Sequence, residues 1–248
     1  MTEYLILAAA AFFAGMLNTV AGGGTFLTFP ALVYTGVPSV AANATSAVAV
    51  FPGYLGGALG FRSEIAALDR KQLLKTVAAT AVGGLAGSLL LLVSSNEAFS
   101  AVVPFLLALA TLAFAFREQL QGWAQRHSLG KPHGPFGTLL VALFGGYFNG
   151  GLGIVLLALF SLWGMRDLNL MNGLKNGLSF VLSAISVATF AAAGIVAWPQ
   201  AILMMVAATI GGYAGAPVAR ALPAGVVRAI VIVVGATMSA IFFWRLIA

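Results

Sequence analysis

The chain has 248 residues, 61 % of them hydrophobic and 7 % charged, with twelve basic and six acidic residues for a net charge of +6. A soluble domain is usually ~25 % charged, so this composition and a mean hydropathy of +1.03 exclude a water-soluble fold. Apolar runs of ~20 residues exclude collagen, coiled coil and disorder, and the lack of cysteine removes disulfides and Cys-ligated metals.

The first apolar block, residues 4–34, has 31 residues and is broken at 18–24 by Asn-Thr-Val-Ala-Gly-Gly-Gly. Three clean blocks follow at 39–61, 73–93 and 98–116. The longest polar stretch, 117–135, is only 19 residues and leaves no room for a soluble domain. A second interrupted block, 137–163, has 27 residues and is broken at 145–153 by Gly-Gly-Tyr-Phe-Asn-Gly-Gly-Leu-Gly. Clean blocks at 168–193, 198–219 and 224–244 complete the chain. Each of the six clean blocks has 19 to 26 residues, enough to cross a hydrocarbon core of ~30 Å. Two crossings need ~40 residues, so neither interrupted block crosses twice; each is a kinked span or a hairpin that enters and returns.

Basic residues choose between these. Arg62, Arg70, Lys71 and Lys75 flank one connection, and Arg117, Arg126 and Lys131 occupy another two spans later. The turn at 94–97 between them has no Lys or Arg, so the first two connections face the cytoplasm and this turn faces out. Arg166, Arg220 and Arg228 join the cytoplasmic side only if both interrupted blocks return to the side they entered. Ten of the twelve basic residues then lie inside, leaving Arg245 outside and Lys175 within a span. The hairpin reading follows, with both termini outside the cytoplasm. The amino-terminal region has Glu3 but no basic residue, unlike a signal peptide, so the first helix is expected to be retained.

The halves repeat. Gly83-Gly-Leu-Ala-Gly87 returns as Gly211-Gly-Tyr-Ala-Gly215 at an offset of 128, and Ala101, Val103, Ala108 and Phe114 meet Ala229, Val231, Ala236 and Phe242. Each half runs hairpin, polar-started span, two plain spans. Three full spans per half is an odd number, so the second half is inverted, a signature of secondary transporters. The fold class is therefore an all-α polytopic membrane protein of two inverted-topology repeats, each a broken re-entrant hairpin plus three transmembrane helices. The organisation is 1–116 as first repeat, 117–136 as basic cytoplasmic linker and 137–248 as second repeat. The glycine pairs, with Gly53, Gly57 and Gly60, read as close helix packing.

Backbone breaks survive in hydrocarbon only where they line a protein-enclosed or watery cavity. Gly22, Gly23 and Gly24 and then Gly150, Gly151 and Gly153 leave N–H groups uncovered. The second arm of each hairpin starts with Thr25 or Ile154, and helix starts attract anions. Asn18, Thr19 and Asn149 add neutral donors. Asn43, Thr45 and Ser46 occupy the start of the next span, and Asn172, Lys175 and Asn176 the matching place in the second half. Lys175 lies about seven residues into its span, roughly 10 Å deep. An intramembrane charge is a functional-site hypothesis by default; the ordinary alternative is that it snorkels to the interface. Ser161, Ser183, Ser186 and Thr189 read as helix-packing residues. All six acids (Glu3, Glu64, Asp69, Glu97, Glu118 and Asp167) sit near span ends or in loops. The substrate class is then anionic, suited to tetrahedral or pyramidal oxyanions, with no proton relay on a buried carboxylate.

Hydrolytic chemistry lacks a nucleophile–base pair, because His127 and His133 lie in the basic loop. No phosphate-binding Gly-x4-Gly-Lys-[Ser/Thr] loop supports an ATP-driven pump, and no His/Asp/Glu cluster supports zinc. No enzyme activity, catalytic residue, metal, cofactor or nucleic-acid partner is called for. The partners are a small anion and the lipid bilayer, with a homo-oligomer left open.

The stretch 15–30 (Gly-Met-Leu-Asn-Thr-Val-Ala-Gly-Gly-Gly-Thr-Phe-Leu-Thr-Phe-Pro), followed by Ala42-Asn43-Ala-Thr45-Ser46, resembles the TauE/SafE sulfite exporter family. The runs 149–153 and 172–176 are similar to its second-half counterparts, and the likeness covers essentially the whole chain. The second hairpin departs from the first: it lacks the triple glycine, and Leu159 stands near the place of Pro30. The resemblance implies a bacterial inner-membrane carrier of sulfite, sulfonates such as sulfoacetate, or related sulfur-containing anions, working by alternating access. An anion-selective channel and a non-transporting membrane subunit are the competing readings.

Overall fold

The computed structural model describes residues 1–21, 23–126, 134–221 and 224–247, and among them there are twelve α-helices and no strand. They run α1 (Thr2–Ala21), α2 (Thr25–Tyr34), α3 (Ser39–Gly60), α4 (Arg62–Ala66), α5 (Arg70–Val93) and α6 (Asn96–Ala115). The second half has α7 (Arg117–Arg126), α8 (Pro135–Tyr147), α9 (Leu152–Leu162), α10 (Leu168–Ala192), α11 (Trp198–Ala221) and α12 (Ala224–Ile247). By length and composition, three helices among the described residues can cross a membrane: 70–93, 96–113 and 168–192.

Both interrupted blocks divide where their glycines stand. The second divides almost evenly, into 13 and 11 residues, about 20 and 16 Å. The first is unequal: α1 has 20 residues and α2 has 10, about 30 and 15 Å. The polar stretch after α6 holds the helix α7 where the sequence pattern suggests only a linker. His127, Lys131 and His133 lie outside the described residues.

Helix starts at the bundle ends are capped in the ordinary way. The Asp69 carboxylate accepts from the Gln72 amide at 2.8 Å, and Asp167 accepts from the amides of Asn169 and Leu170 at 2.9 and 3.2 Å. These caps begin α5 and α10 at the N-terminal turn that dipole and side-chain preference favour. α2 and α9 both end on a left-handed glycine, Gly36 (φ 86°) and Gly164 (φ 80°). Beyond each, Val37 donates to the Leu32 carbonyl and Met165 to the Phe160 carbonyl, closing the same six-residue cap.

α1 packs along α11 and α5 along α8, while α3 packs on α10 and α6 on α12. Along α5 and α8 small residues let backbones touch. A Cβ on Gly87 would lie 2.7 Å from the Tyr147 nitrogen, and one on Gly83 would lie 2.8 Å from the Ala142 Cβ. Gly15 and Gly211 play the same part between α1 and α11, each against the other helix's backbone. Gly57 and Gly53 pack closely too, a Cβ on Gly57 lying 2.6 Å from the Asn176 side chain and one on Gly53 3.3 Å from Asn18 Nδ2, whereas Gly60 departs from the packing role expected of it, with nothing within 4 Å of its Cβ. At the centre of the main core Phe29 is fully buried. Its ring stacks on Phe242 at 5.6 Å and meets Phe148 and Phe99 edge-on at 5.8 and 6.2 Å, tying α2 to α12, α6 and the α8–α9 break.

The bundle has two chemically distinct ends. Val40 donates to Asn96 Oδ1, Ser100 to Ser39, and Ala197 to Thr45 Oγ1. These bonds gather the α2–α3, α5–α6 and α10–α11 turns at one end, and none of the three turns contains Lys or Arg. At the other end Gly173 of α10 packs against Phe61 and Ile65, beside exposed Arg62, Arg70, Lys71 and Arg166.

Candidate functional site at the helix breaks

α3 and α10 pass each other antiparallel, with Phe51 stacked on Phe180 at 5.0 Å and Gly57 against Asn176. Both helix breaks arrive at this crossing. From the first, the Asn18 Nδ2 reaches Gly53, whose Cβ would lie 3.3 Å away, and Gly24 faces Val50. From the second, Asn149 is buried and uses both arms of its amide. Its Oδ1 accepts from the Tyr54 hydroxyl at 3.2 Å and its Nδ2 donates to Ser183 Oγ at 3.4 Å. The breaks are close neighbours: a Cβ on Gly151 would lie 3.8 Å from the Phe26 Cζ in the first turn of α2.

Gly24 precedes α2 and Gly151 precedes α9, and neither start carries a side-chain cap. Part of the first-turn donor set is spent locally: Phe26 and Leu27 donate to the Gly23 and Gly24 carbonyls at 3.1 and 3.0 Å, and Leu152 and Ile154 to those of Asn149 and Gly151 at 3.3 and 3.0 Å. The aligned peptides still aim two positive dipole ends at the middle of the bundle. Gly151 needs its glycine, because its φ is +79° and an l side chain there is strained. Gly23, Gly24 and Thr25 are buried at the first break, and Gly150, Gly151 and Gly153 at the second. Gly22 lies outside the described residues, as does the side chain of Thr19.

The remaining expected residues fall into two groups at different depths. Towards the charged end, Lys175 is 8 % exposed and donates from Nζ to Asn172 Oδ1 at 3.2 Å, with half-buried Asn176 beside it. Towards the uncharged end lie Asn43, Thr45 and Ser46, all buried. Asn43 Nδ2 donates to the Tyr147 carbonyl at 2.9 Å, and Ser46 Oγ sits 2.6 Å from Thr28 Oγ1. Asn43 and the Asn176-facing Gly57 are fourteen residues apart on α3, about 21 Å along the axis. The structure therefore brings Asn18, Asn149 and the two helix starts together and leaves the Lys175 and Asn43 groups on opposite flanks.

Sequence reasoning missed Tyr54 and treated Ser183 as packing. One signal pointed to both: Tyr54 and Ser183 are 129 residues apart, the offset that relates Asn43 to Asn172. Ser179, one turn from Ser183, is buried with its hydroxyl unpaired among the described residues.

The family model for the sulfite exporter TauE/SafE matches residues 7–242. The chain belongs to this family. It is similar to a probable membrane transporter protein, ORF9, of a Sinorhizobium species, with 27 % identity over 93 % of this chain and 88 % of the relative. It is also similar to the probable membrane transporter protein YfcA of Escherichia coli K12, at 26 % over 95 % of this chain and 87 % of the relative. A Haemophilus influenzae probable membrane transporter protein shares 27 % over 95 % of this chain and 92 % of its own length. No solved structure matches. This TauE/SafE member is thus an all-helical, multi-pass protein of a membrane-transporter family, and its two helix breaks coincide with the glycine-rich segments.

Proposed function

We propose that this protein is a secondary transporter of small sulfur-containing anions such as sulfite or sulfoacetate, working by alternating access. The two uncapped helix starts that meet at the α3–α10 crossing carry the reading. Together with the amide of Asn18 and the second Nδ2 hydrogen of Asn149, which Tyr54 and Ser183 orient, they offer neutral donors and positive dipole ends where lipid excludes water. Such a cluster suits a compact oxyanion with acceptors on several sides.

Helix pairing supports an inverted repeat. Exchanging α1 with α8, α2 with α9, α3 with α10, α5 with α11 and α6 with α12 turns the α1–α11 contact into the α8–α5 contact. It also turns α3–α11 into α10–α5 and α12–α2 into α6–α9, all of which are present. α3–α10 and α6–α12 map onto themselves, as helices beside a two-fold axis must. Two related halves give one chain two near-equivalent states open to opposite sides. The basic end faces the cytoplasm of the inner membrane under the Lys/Arg bias, which puts both termini outside.

Lys175 supplies a cation near this path, poised on the cytoplasmic flank and held by Asn172. Removing a charge-assisted hydrogen bond costs about 1.5–3 kcal/mol, so Lys175→Ala is expected to weaken sulfite binding roughly 10- to 100-fold, with Lys175→Arg closer to wild type. Thermal shifts with sulfite, sulfoacetate, taurine, sulfate and carboxylates read binding. Counterflow exchange in proteoliposomes reads mechanism, since trans-stimulated uptake belongs to a carrier and not to a channel. Unchanged affinity in Lys175→Ala removes Lys175 from the site, and a preference for cations or neutral solutes defeats the anion reading.

A further inference from the structure

We propose that Asn43 and Ser46, on the uncharged flank, form a site for one alkali-metal cation that couples to the anion. The inference deepens the transporter reading and rests on it. Its first observation is an orphan: Asn43 is 1 % exposed and its Oδ1 has no hydrogen-bond partner among the described residues. Its Nδ2 is already committed to the Tyr147 carbonyl at 2.9 Å, so turning the amide over would set two oxygens against each other. A buried acceptor left bare is costly and marks an absent ion or water.

The second half shows what such an oxygen holds. Asn43 is the fifth residue of α3 and Asn172 the fifth of α10. Asn172 Oδ1 takes the Lys175 ammonium, three residues on. Three residues after Asn43 stands Ser46, on the same helix face, and it brings no charge. In one half a tethered cation meets the amide oxygen; in the other the matching residue is an uncharged hydroxyl.

Ser46 completes a pair of oxygens. Ser46 Oγ and Thr28 Oγ1 lie 2.6 Å apart, either able to donate, and Thr28 Oγ1 also lies 3.3 Å from the Gly24 carbonyl. In the arrangement where Thr28 donates to Gly24, Ser46 donates to Thr28 and its lone pairs are left for a cation. The C-terminus of α8, whose last residue is Tyr147, adds the negative end of a helix dipole. All of these ligands are neutral oxygens. That suits a monovalent ion, since divalent cations are ordinarily held by carboxylates, and with no titratable group among them the site cannot work as a proton carrier.

The position explains coupling. Asn43 grips the residue just before the second break through Tyr147, and Ser46 reaches the first break through Thr28 and Gly24. A cation here would order both anion-binding starts at once and offset the charge of the anion between them.

The test is a melting-temperature titration of the purified full chain in choline chloride, replaced stepwise by NaCl or KCl at constant ionic strength. Wild type is expected to gain several degrees, saturably, with one alkali cation. Asn43→Leu and Ser46→Lys, the latter installing the ammonium of the second half, are expected to lose the gain. Asn43→Asp, with two oxygens and a charge, is expected to reach half-saturation at a tenfold or lower concentration, and it decides if the first two variants do not fold. A wild type indifferent to the replacement of choline, a gain that survives in Asn43→Leu, or an unmoved half-saturation in Asn43→Asp overturns the cation site. The shift with sulfite in choline is measured beside it. Failure of that shift alone counts against the anion reading and not against the cation.

Discussion

Gly151→Ala tests the geometry of the second break most directly. The residue has φ +79°, where a Cβ collides with its own backbone at a cost of roughly 1–2 kcal/mol. The new methyl would also lie 2.6 Å from the Ala110 Cβ of α6, well inside the ~3.5–4.0 Å of ordinary carbon contact. Overpacking of this kind costs about 1–3 kcal/mol. The two add to about 2–5 kcal/mol, because one is backbone strain and the other a side-chain overlap. At about 2–4 °C per kcal/mol for a chain of this size, the melting temperature should fall by several degrees or more. Adding Ala110→Gly removes the overlap but not the strain and itself costs about 0.5–1 kcal/mol in the interior of α6, so the two changes should show a coupling of about 1–3 kcal/mol in a double-mutant cycle. The assay is a thermal melt of purified protein for wild type, both singles and the double. A Gly151→Ala variant as stable as wild type, or singles that add with no coupling, would refute the placement of the break against α6.

Tyr54→Phe leaves the buried Asn149 Oδ1 without its donor and should cost about 1–3 kcal/mol; Ser183→Ala should cost less, its bond being 3.4 Å long, and melts of both measure the difference. Asp167→Ala removes two bonds to α10 amides and should lower stability by about 0.5–2 kcal/mol, without changing anion affinity in the same preparation. Gly87→Leu drives a side chain into the α8 backbone at Tyr147 and should abolish monodisperse expression on gel filtration. Gly56→Ala is its control: nothing lies within 4 Å of that Cβ, so the variant should express normally and melt within about 1 kcal/mol of wild type.

Apolar blocks and their glycine interruptions were legible because both are local properties of the chain. So was the sorting of Arg62, Arg70, Lys71 and Arg166 to one end, since the basic connections alternate with bare ones. Helix starts were less so: α5 begins at Arg70, three residues before its apolar run, because a capped first turn is polar by nature and hydropathy passes over it. α7 was hidden for the same reason, being polar through most of Arg117–Arg126. Tyr54 carried only the repeat offset as a signal, for a different reason. Its role depends on Asn149, 95 residues away, and no local pattern distinguishes a tyrosine that binds across the bundle from one that merely packs.

The separation of Asn43 from Lys175 follows from the feature that made them look alike. Each belongs to a polar group near the start of its span, Asn43 matching Asn172 and Ser46 matching Lys175 on α3 and α10. Those helices run antiparallel through the crossing, so matching positions must fall on opposite flanks, here about 21 Å apart measured from Asn43 to the Asn176-facing Gly57. In the proposed cycle an anion leaving the central helix starts by one route would pass a fixed ammonium and by the other two neutral oxygens, so the two mouths would differ in charge. On that proposal the Lys175 mouth would hold an anion without help, whereas the Asn43 mouth would do so only with a bound cation. Anion affinity measured from the two sides of an oriented membrane should then diverge as the alkali cation is withdrawn, with the loss confined to the Asn43 side.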